Sequence, residues 1–534
     1  MKTFRFAKFI TVMLAAALLL GALAGCAGDT LPVDPDAVSP DGQQDDNKPV
    51  SPASDGKFTL RYAPDRSFNP YSSDAQENLL LSSLMYEGLF RLDKSFTAVP
   101  VLCDTCTTED GLTYKIKILR GIKLTDGSAL TAADVEYSLG FAAESERYKN
   151  RLSVISSCAA TGPLTLEITL DSPNRSLPEL LDVPIVKADT GENDIPVGTG
   201  PFILSRPDAP LMGAYRGYRS YENLPLTEIY LKELSDSELP ESFADYSLDL
   251  VWDDTCDGSH MMMRGNCEVR GYSTTILQYI GFNAYSTLIS DPAFRRAMNL
   301  AIDRAAVVRD AFDGGGSEAV LVLPKAHYLY NASWEAGFGF SPDECSEALK
   351  ALGLEEKTGD RFLDIVTTNV NGKFKRVSFR FIVNSENPAK AEAAQIITDQ
   401  LRAAGLDVRL ETLPWETFVK RLESGEFDMY YAEVGLPPDF DLSGLLSYDG
   451  ALNFGQMGSG QYDDLIEAFL NANGDEEKIM AAKRLCRGIA YDCPIIPILY
   501  REHEICTHRG SAVGAEPSVS GLFGGFTEWN IDLS

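Results

Sequence analysis

Two cysteines, Cys103 and Cys106, have the spacing found in redox and zinc-binding motifs. Such thiols exchange disulfides inside a thioredoxin-like βαβ unit, or bind zinc when a second pair completes a tetrahedral ligand set. The sequence around them predicts no such unit, and no second pair lies at the required distance. We therefore predict no metal or redox role for these cysteines, and a thiol redox protein stays as a remote alternative.

Two other stretches contain metal-ligand side chains. His503, Cys506 and His508 fall close together, but on a strand successive side chains alternate between faces, so one shared ion would be strained. His260 precedes the methionines 261–263, whose thioethers suit soft metals, yet an isolated methionine run more often packs within a loop. We expect no bound metal and no cofactor.

Catalytic motifs are absent from the sequence. It contains no G-x-x-x-x-G-K-[ST] phosphate loop, no G-x-S-x-G elbow and no H-E-x-x-H helix. We therefore predict that the protein is not an enzyme, with an extracytoplasmic hydrolase as the remote alternative.

The amino terminus has the pattern of an export signal. Three basic residues precede an apolar run from Phe9 to Ala24, which is too short to span a membrane comfortably. Leu23-Ala24-Gly25-Cys26 resembles a lipobox, so residues 1–25 are the predicted leader and Cys26 the predicted lipidation site. Acyl chains contribute roughly 0.8 kcal/mol per buried methylene, enough for durable anchoring. The alternative is an ordinary secretory signal followed by an unrelated cysteine.

Composition separates a linker from a globular body. Residues 26–56 are rich in Pro, Asp, Ser and Gly and poor in large apolar side chains, which predicts a flexible lipid-anchored linker. About 480 residues follow, too many for one ordinary core, so we expect two or three domains. The formal charge of −31 argues against nucleic acid and anionic lipid headgroups as partners, since neither would meet a basic surface.

Strand and helix patterns alternate along the body, which predicts an α/β fold. The strand candidates are 58–62, 114–118, 164–170, 229–234, 377–383 and 408–413. The helix candidates are 75–90, a helix beginning at Thr131, 291–312, 388–404 and 462–472. Gly198 and Gly200 flank a predicted tight turn.

The chain has ten cysteines, so nine remain if Cys26 is lipidated and at least one stays unpaired within a monomer. Cys256 with Cys267 is one candidate disulfide, and Cys486 with Cys493 is a weaker candidate. Either disulfide would close a short loop and stabilise it locally, without a catalytic role.

Several segments resemble one known family in order and spacing. They are Asn69-Pro70-Tyr71, 85–102, EDGLTYKIKILRGIKLTDGSALTAADVEYSL at 109–139, PVGTGPFIL at 196–204, 220–234, 277–308, 393–431 and 493–505. Together they resemble the peptide, nickel and related solute-binding proteins of ABC importers, solute-binding family 5.

The resemblance implies a two-lobed periplasmic-binding fold of type II (cluster C, the Venus flytrap), with an extra subdomain. Lobe I would comprise 57–275 and 490–534, with the subdomain at about 85–190. Lobe II would comprise 276–489. Ligand would close the lobes, and the closed form would deliver it to an ABC permease. A peptide is the first expected ligand, and a metal chelate or another small solute is the alternative.

Peptide-binding relatives place a carboxylate shortly after the strand that contains Phe427 and Asp428. The position expected for it is not acidic here, so the nearby acids Glu433, Asp439 and Asp441 are the candidate ammonium anchors. We expect substitution of Glu433 or Asp439 to weaken binding and leave ligand-free stability nearly unchanged. The aromatic candidates to wall the cleft are Tyr71, Trp415, Tyr430 and Tyr431.

Overall fold

The structure is a computed structural model that describes residues 54–206, 209–256, 263, 265–366, 374–376 and 378–533. The predictions for the leader, for Cys26, for the linker up to residue 53 and for residues 260–262 lie outside these residues. Within them, no helix is both long and apolar enough to cross a bilayer.

Strands and helices alternate along the body. The strands are β1 Thr59–Arg61, β2 Phe90–Leu92, β3 Ala98–Pro100, β4 Cys103–Thr108, β5 Thr113–Ile118, β6 Ile155–Gly162, β7 Thr165–Leu170, β8 Phe202–Arg206, β9 Ala209–Ala214, β10 Glu228–Lys232, β11 Leu250–Asp254, β12 Cys267–Phe282, β13 Gly316–Glu318, β14 Leu354–Glu356, β15 Leu363–Val366, β16 Phe374–Arg376, β17 Ser378–Asn384, β18 Asp407–Leu413, β19 Met429–Gly435, β20 Ile495–His508, β21 Ala512–Val513 and β22 Asn530–Ile531. The helices are α1 Gln76–Ser82, α2 Ala132–Glu144, α3 Lys149–Leu152, α4 Leu177–Leu180, α5 Leu239–Ala244, α6 Pro292–Leu300, α7 Arg304–Ala311, α8 Pro342–Ala351, α9 Pro388–Ala403, α10 Trp415–Ser424, α11 Ser443–Leu446, α12 Gly460–Leu470 and α13 Asp475–Asp492.

Two predicted helices are wrong in length. The helix expected over 75–90 ends at Ser82, where the hydroxyls of Ser82 and Ser83 donate to the carbonyls of Leu79 and Leu80 and satisfy its last turn. The helix expected over 291–312 is two helices, α6 and α7. Asp303 begins the second one because its carboxylate accepts a hydrogen bond from the backbone N–H of Ala306 at 3.1 Å.

The residues predicted as lobe I contain two four-stranded sheets, ordered β1-β10-β9-β8 and β4-β5-β7-β6. The second sheet and α2, which packs on it, lie within the range predicted for the subdomain. Side chains from both sheets form one continuous core, which also takes in Ile505 of β20 and the carboxy-terminal residues Phe523, Phe526 and Trp529. The predicted subdomain therefore shares one core with the rest of the residues predicted as lobe I.

A seven-stranded sheet, ordered β11-β20-β12-β19-β17-β18 with β13 beside β20, extends from lobe I into lobe II. Its two long strands, β12 and β20, pair along their lengths. At one end β20 also pairs with β11, and at the other end β12 also pairs with β19. Between the pairs Ser273–Glu502 and Leu277–Tyr500, β12 has three residues where β20 has Arg501 alone. This bulge lies where the two predicted lobes meet.

Within lobe II the sheet is buried on both faces. Tyr279, Ile382 and Tyr430 pack on one face with residues of α10, α12 and α13. Phe282, Phe381 and other side chains of alternate positions pack on the opposite face with α6 to α9. Alternation along each strand therefore supplies two separate cores, as expected for an α/β layer structure.

The Gly198 to Gly200 turn has a different physical basis from the one predicted. Neither glycine has a positive φ. A Cβ at Gly200 would lie 2.4 to 2.6 Å from backbone atoms of Leu84 and Met85, and the Gly200 N–H donates to the Met85 carbonyl at 2.9 Å. The glycines are needed because this segment packs directly against the backbone after α1.

Candidate functional site

Glu433 lies on β19 opposite Gln278 of β12, immediately beyond the bulge. Its carboxylate accepts a hydrogen bond from Gln278 Nε2 at 3.0 Å and pairs with Lys390 Nζ at 3.0 Å and Arg501 Nη1 at 3.2 Å. The side chains of Glu433 and Arg501 are each 12% exposed, and that of Lys390 is 18% exposed. Water therefore screens these ion pairs weakly.

Arg501 also pairs with Asp254 of β11, and His503 Nε2 lies 3.4 Å from the same carboxylate. Burial disfavours the charged form of Asp254, but the hydrogen bond from His503 and the charge of Arg501 outweigh it and hold its pKa below the ordinary value. We call Asp254, Lys390, Glu433, Arg501 and His503 the hinge network. Its two carboxylates face two permanent cations, so a ligand ammonium would find Glu433 already neutralised.

Asp439 is buried, and its carboxylate accepts a hydrogen bond from Asn174 Nδ2 at 2.7 Å. Burial and the nearby charge of Asp441 raise the pKa of Asp439 to about 6. Asp441 accepts hydrogen bonds from the backbone N–H and the hydroxyl of Ser443, both at 2.8 Å. Among the described residues no cationic side chain pairs with Asp441, in contrast to Glu433.

Lys478 of α13 forms a second polar cluster beside Asp439. Its ammonium donates to Ser176 Oγ at 2.6 Å and to the Phe469 carbonyl at 2.9 Å. Burial raises the pKa of Glu179 to about 7, although the charge of Lys478 opposes this shift. Burial likewise lowers the pKa of Lys478. We call Asn174, Ser176, Glu179, Asp439 and Lys478 the interlobe cluster, because its members come from the subdomain and from lobe II.

Further contacts join the same two regions. The Arg175 N–H donates to the Leu470 carbonyl at 2.8 Å, and the Tyr328 N–H donates to the Ser95 carbonyl at 3.1 Å. Phe96, from the loop between β2 and β3, is buried in the lobe II core with its ring centroid 5.2 Å from that of Phe440. The ranges predicted for the subdomain and for lobe II are therefore in direct contact in this structure.

The four aromatic candidates occupy different environments. Tyr71 is 3% exposed in the lobe I core, and its hydroxyl donates to the Pro184 carbonyl at 2.6 Å. Tyr430 and Tyr431 point to opposite faces of β19 and lie in two separate cores. Trp415 is partly buried at the start of α10, with its ring centroid 5.9 Å from that of Phe418. Packing accounts for Tyr71, Tyr430 and Tyr431, and a ligand contact by any of the four stays a prediction.

The cysteines and histidines do not form a reactive or metal-binding group in the described part of the chain. The nine cysteines described there are free thiols, so neither candidate disulfide is formed. Burial raises the pKa of Cys103 to about 11 and that of Cys106 to about 12, which disfavours the reactive thiolate. No three metal-ligating side chains of the described residues converge. His503 belongs to the hinge network, whereas His508 stacks on Phe243 with centroids 4.2 Å apart.

A cavity of about 670 Å³ opens on lobe I, lined by α1, β2, β3, α3, the turn at 218–219 and the carboxy-terminal segment 518–528. Its charged lining residues are Glu87, Arg91, Arg147, Arg151, Asp182, Arg219 and Glu528. Val519 lines the cavity and also packs against the lobe II core, so the cavity lies beside the contact between the lobes. Spacing along the sequence does not indicate this site, because its arginines come from three separate segments of an acidic chain.

The model of the bacterial extracellular solute-binding proteins, family 5, matches residues 97–210 and 249–455, on both sides of the lobe boundary. The chain belongs to this family. The family recognised from the sequence motifs is thus confirmed.

Among curated relatives, this family 5 protein is similar to the glutathione-binding protein GsiB of Salmonella typhimurium, with 27% identity over 311 residues. The match covers 54% of this chain and 60% of GsiB.

Solved structures resemble nearly the whole body. The oligopeptide-binding protein AppA of Bacillus subtilis, in complex with a nonapeptide, has a TM-score of 0.61 and 20% identity, covering 90% of this chain and 100% of AppA. NikA of Brucella suis, in complex with Fe(III)-EDTA, has a TM-score of 0.69 and 16% identity, covering 89% of this chain and 100% of NikA. These likenesses confirm the two-lobed α/β fold.

Proposed function

We propose that this family 5 protein is the extracytoplasmic solute-binding component of an ABC importer. It captures a small solute, a peptide before other classes, between its lobes and delivers it to a permease in the cytoplasmic membrane. The observation that supports this most strongly is the pair of strands β12 and β20, which cross from lobe I to lobe II in a chain whose family match lies on both sides of the crossing.

We propose that the first crossing lies at the bulge in β12, as predicted from the sequence, and that the chain returns at Arg501 of β20, about ten residues after the predicted boundary at 490. A ligand held by both lobes makes its full set of contacts in the closed state, and its binding therefore increases the population of that state. The interlobe cluster and the Phe96 contact are the protein's own contacts across the same boundary.

For a peptide ligand we propose that an acid of the 433–441 segment binds the ammonium group. Glu433 carries two cationic partners and Asp439 is buried against Asn174, whereas Asp441 has hydrogen-bond donors without a cation among the described residues. Asp441 is therefore the first candidate of the three. A matched control is Asp464, an exposed aspartate of α12 without a described partner.

We propose that the protein works at the outer face of the cytoplasmic membrane, held there by lipid on Cys26. The lipobox and the linker behind it support this proposal. The linker gives the globular body reach to a membrane-embedded permease.

The test has two steps. Native mass spectrometry of protein purified from a peptide-rich medium identifies retained solute, and thermal melting with defined peptides of two to eight residues measures binding. We expect peptide binding, weakened by Asp441→Asn and unchanged by Asp464→Asn. A retained metal chelate, with no peptide raising the melting temperature, would overturn the peptide proposal in favour of the chelate alternative. If every small solute leaves the melting temperature unchanged, the importer proposal fails.

A further inference from the structure

The arginines that line the lobe I cavity outnumber its carboxylates, so the lining has an excess of positive charge. Arg219 forms a bidentate pair with Glu87, with both N···O distances 2.7 Å, and Arg151 pairs with Asp182. These two pairs use the two carboxylates that lie among the arginines. Two further guanidinium groups then remain, in a protein whose formal charge is −31.

The two remaining arginines are Arg91 of β2 and Arg147 before α3. Arg147 Nη2 donates to the Ser73 carbonyl at 3.0 Å and pairs with no described carboxylate. Arg91 is half-buried, and within the described residues its guanidinium has neither a hydrogen bond nor an ion pair. The remaining carboxylate of the lining, Glu528, is exposed and pairs with no described cation.

The shape of the cavity suits a small organic solute. Its volume of about 670 Å³ is in the range of small-ligand sites. Tyr148 and Tyr218 lie beneath Arg151 and Arg219, at 5.5 and 4.9 Å from the ring centroids. The cavity therefore combines aromatic walls with guanidinium groups whose planar fork matches a carboxylate in two parallel hydrogen bonds.

We propose that this cavity binds a carboxylate of the captured solute, with Arg91 as its main partner and Arg147 as the second. For a peptide this group is the carboxy terminus. The inference rests on the proposed function, since it describes one end of the solute that the lobes enclose. Val519 places the cavity beside lobe II, so a solute bound here is positioned to contact both lobes.

The experiment compares trialanine with its carboxy-terminal amide on the wild type, Arg91→Gln and Arg120→Gln. Arg120 is an exposed arginine outside the cavity lining and is the matched control. On the wild type and on Arg120→Gln we expect the free acid to bind about 10- to 100-fold more tightly than the amide, as a partly exposed charged hydrogen-bond pair allows. On Arg91→Gln this preference should fall to about twofold or less.

Three results would overturn the inference. Equal affinity of acid and amide for the wild type would refute the carboxylate contact and leave solute binding intact. If the preference for the free acid persists in Arg91→Gln and in the double variant Arg91→Gln/Arg147→Gln, the carboxylate binds elsewhere. If the solute retained by purified protein has no acidic group, the inference fails while the importer proposal stands. If no solute binds at all, the importer proposal itself fails.

Discussion

Glu433→Gln tests whether the hinge network is a structural connection or a ligand anchor. The substitution keeps the hydrogen bond with Gln278 but leaves Lys390 and Arg501 facing one another with one carboxylate, Asp254, in place of two. Exposed ion pairs contribute about 0 to 1 kcal/mol, and breaking a buried pair costs about 3 to 5 kcal/mol. With side-chain exposures of 12 to 18%, we expect a loss of about 2 kcal/mol in the free energy of unfolding.

The assay is thermal melting of the ligand-free protein as a double-mutant cycle with Lys390→Met. If lobe II melts as a unit, a 2 kcal/mol loss corresponds to a decrease of roughly 4 to 8 °C. We expect the double variant to be more stable than the two single effects predict, with a coupling energy of about 1 kcal/mol or more. Asp464→Asn, which removes an exposed charge, is the control and should melt like the wild type.

An unchanged melting temperature for Glu433→Gln, with no coupling to Lys390, would refute this reasoning. That result would instead agree with the prediction from the sequence, that Glu433 is a ligand anchor whose loss weakens ligand binding and leaves stability unchanged. The two interpretations therefore predict different melting temperatures for the ligand-free Glu433→Gln variant.

Three further predictions follow from the leader, the crossing strands and the interlobe cluster. Cys26→Ser should release the protein from membranes in cell fractionation; continued attachment would contradict lipidation. Small-angle scattering should show a smaller radius of gyration with saturating ligand, and identical curves would refute closure. Burial raises the pKa of Glu179 to about 7 from an ordinary 4.5. The stability that its protonated carboxyl contributes to the folded state is therefore fully present below about pH 4.5 and is lost as the pH rises through 7. From pH 5 to 7.5 the wild type should lose roughly 1 to 2 kcal/mol more stability than Glu179→Gln, and an equal loss would contradict this.

Local patterns predicted much of the fold. The six strand candidates and the helices α9 and α12 are present within a few residues, because alternation and helical spacing report which side of an element is buried. The long strands β12 and β20 were missed. Each of these strands has different neighbours along its length. Where a strand is buried on both faces, its sequence does not alternate between apolar and polar residues.

The sites were harder to predict than the elements. The sequence identified Glu433 as an acid in the right segment, but Lys390 and Arg501, which neutralise it, lie 43 and 68 residues away. Likewise, the arginines of the lobe I cavity are brought together by segments from 91 to 219. Long-range pairing decides which charges remain available to a ligand, and spacing along one sequence does not report it.

The shared core of lobe I also has a consequence for synthesis. Ile505, Phe523, Phe526 and Trp529 pack against residues near the start of the body, such as Phe58 and Leu84. A nascent chain that has not yet reached residue 529 lacks some of these side chains, so its first lobe exposes an incomplete apolar surface until they have been made. Native packing of this core is thereby delayed until residues 505–529 have been made, and the segments made earlier remain exposed to non-native contacts for that time.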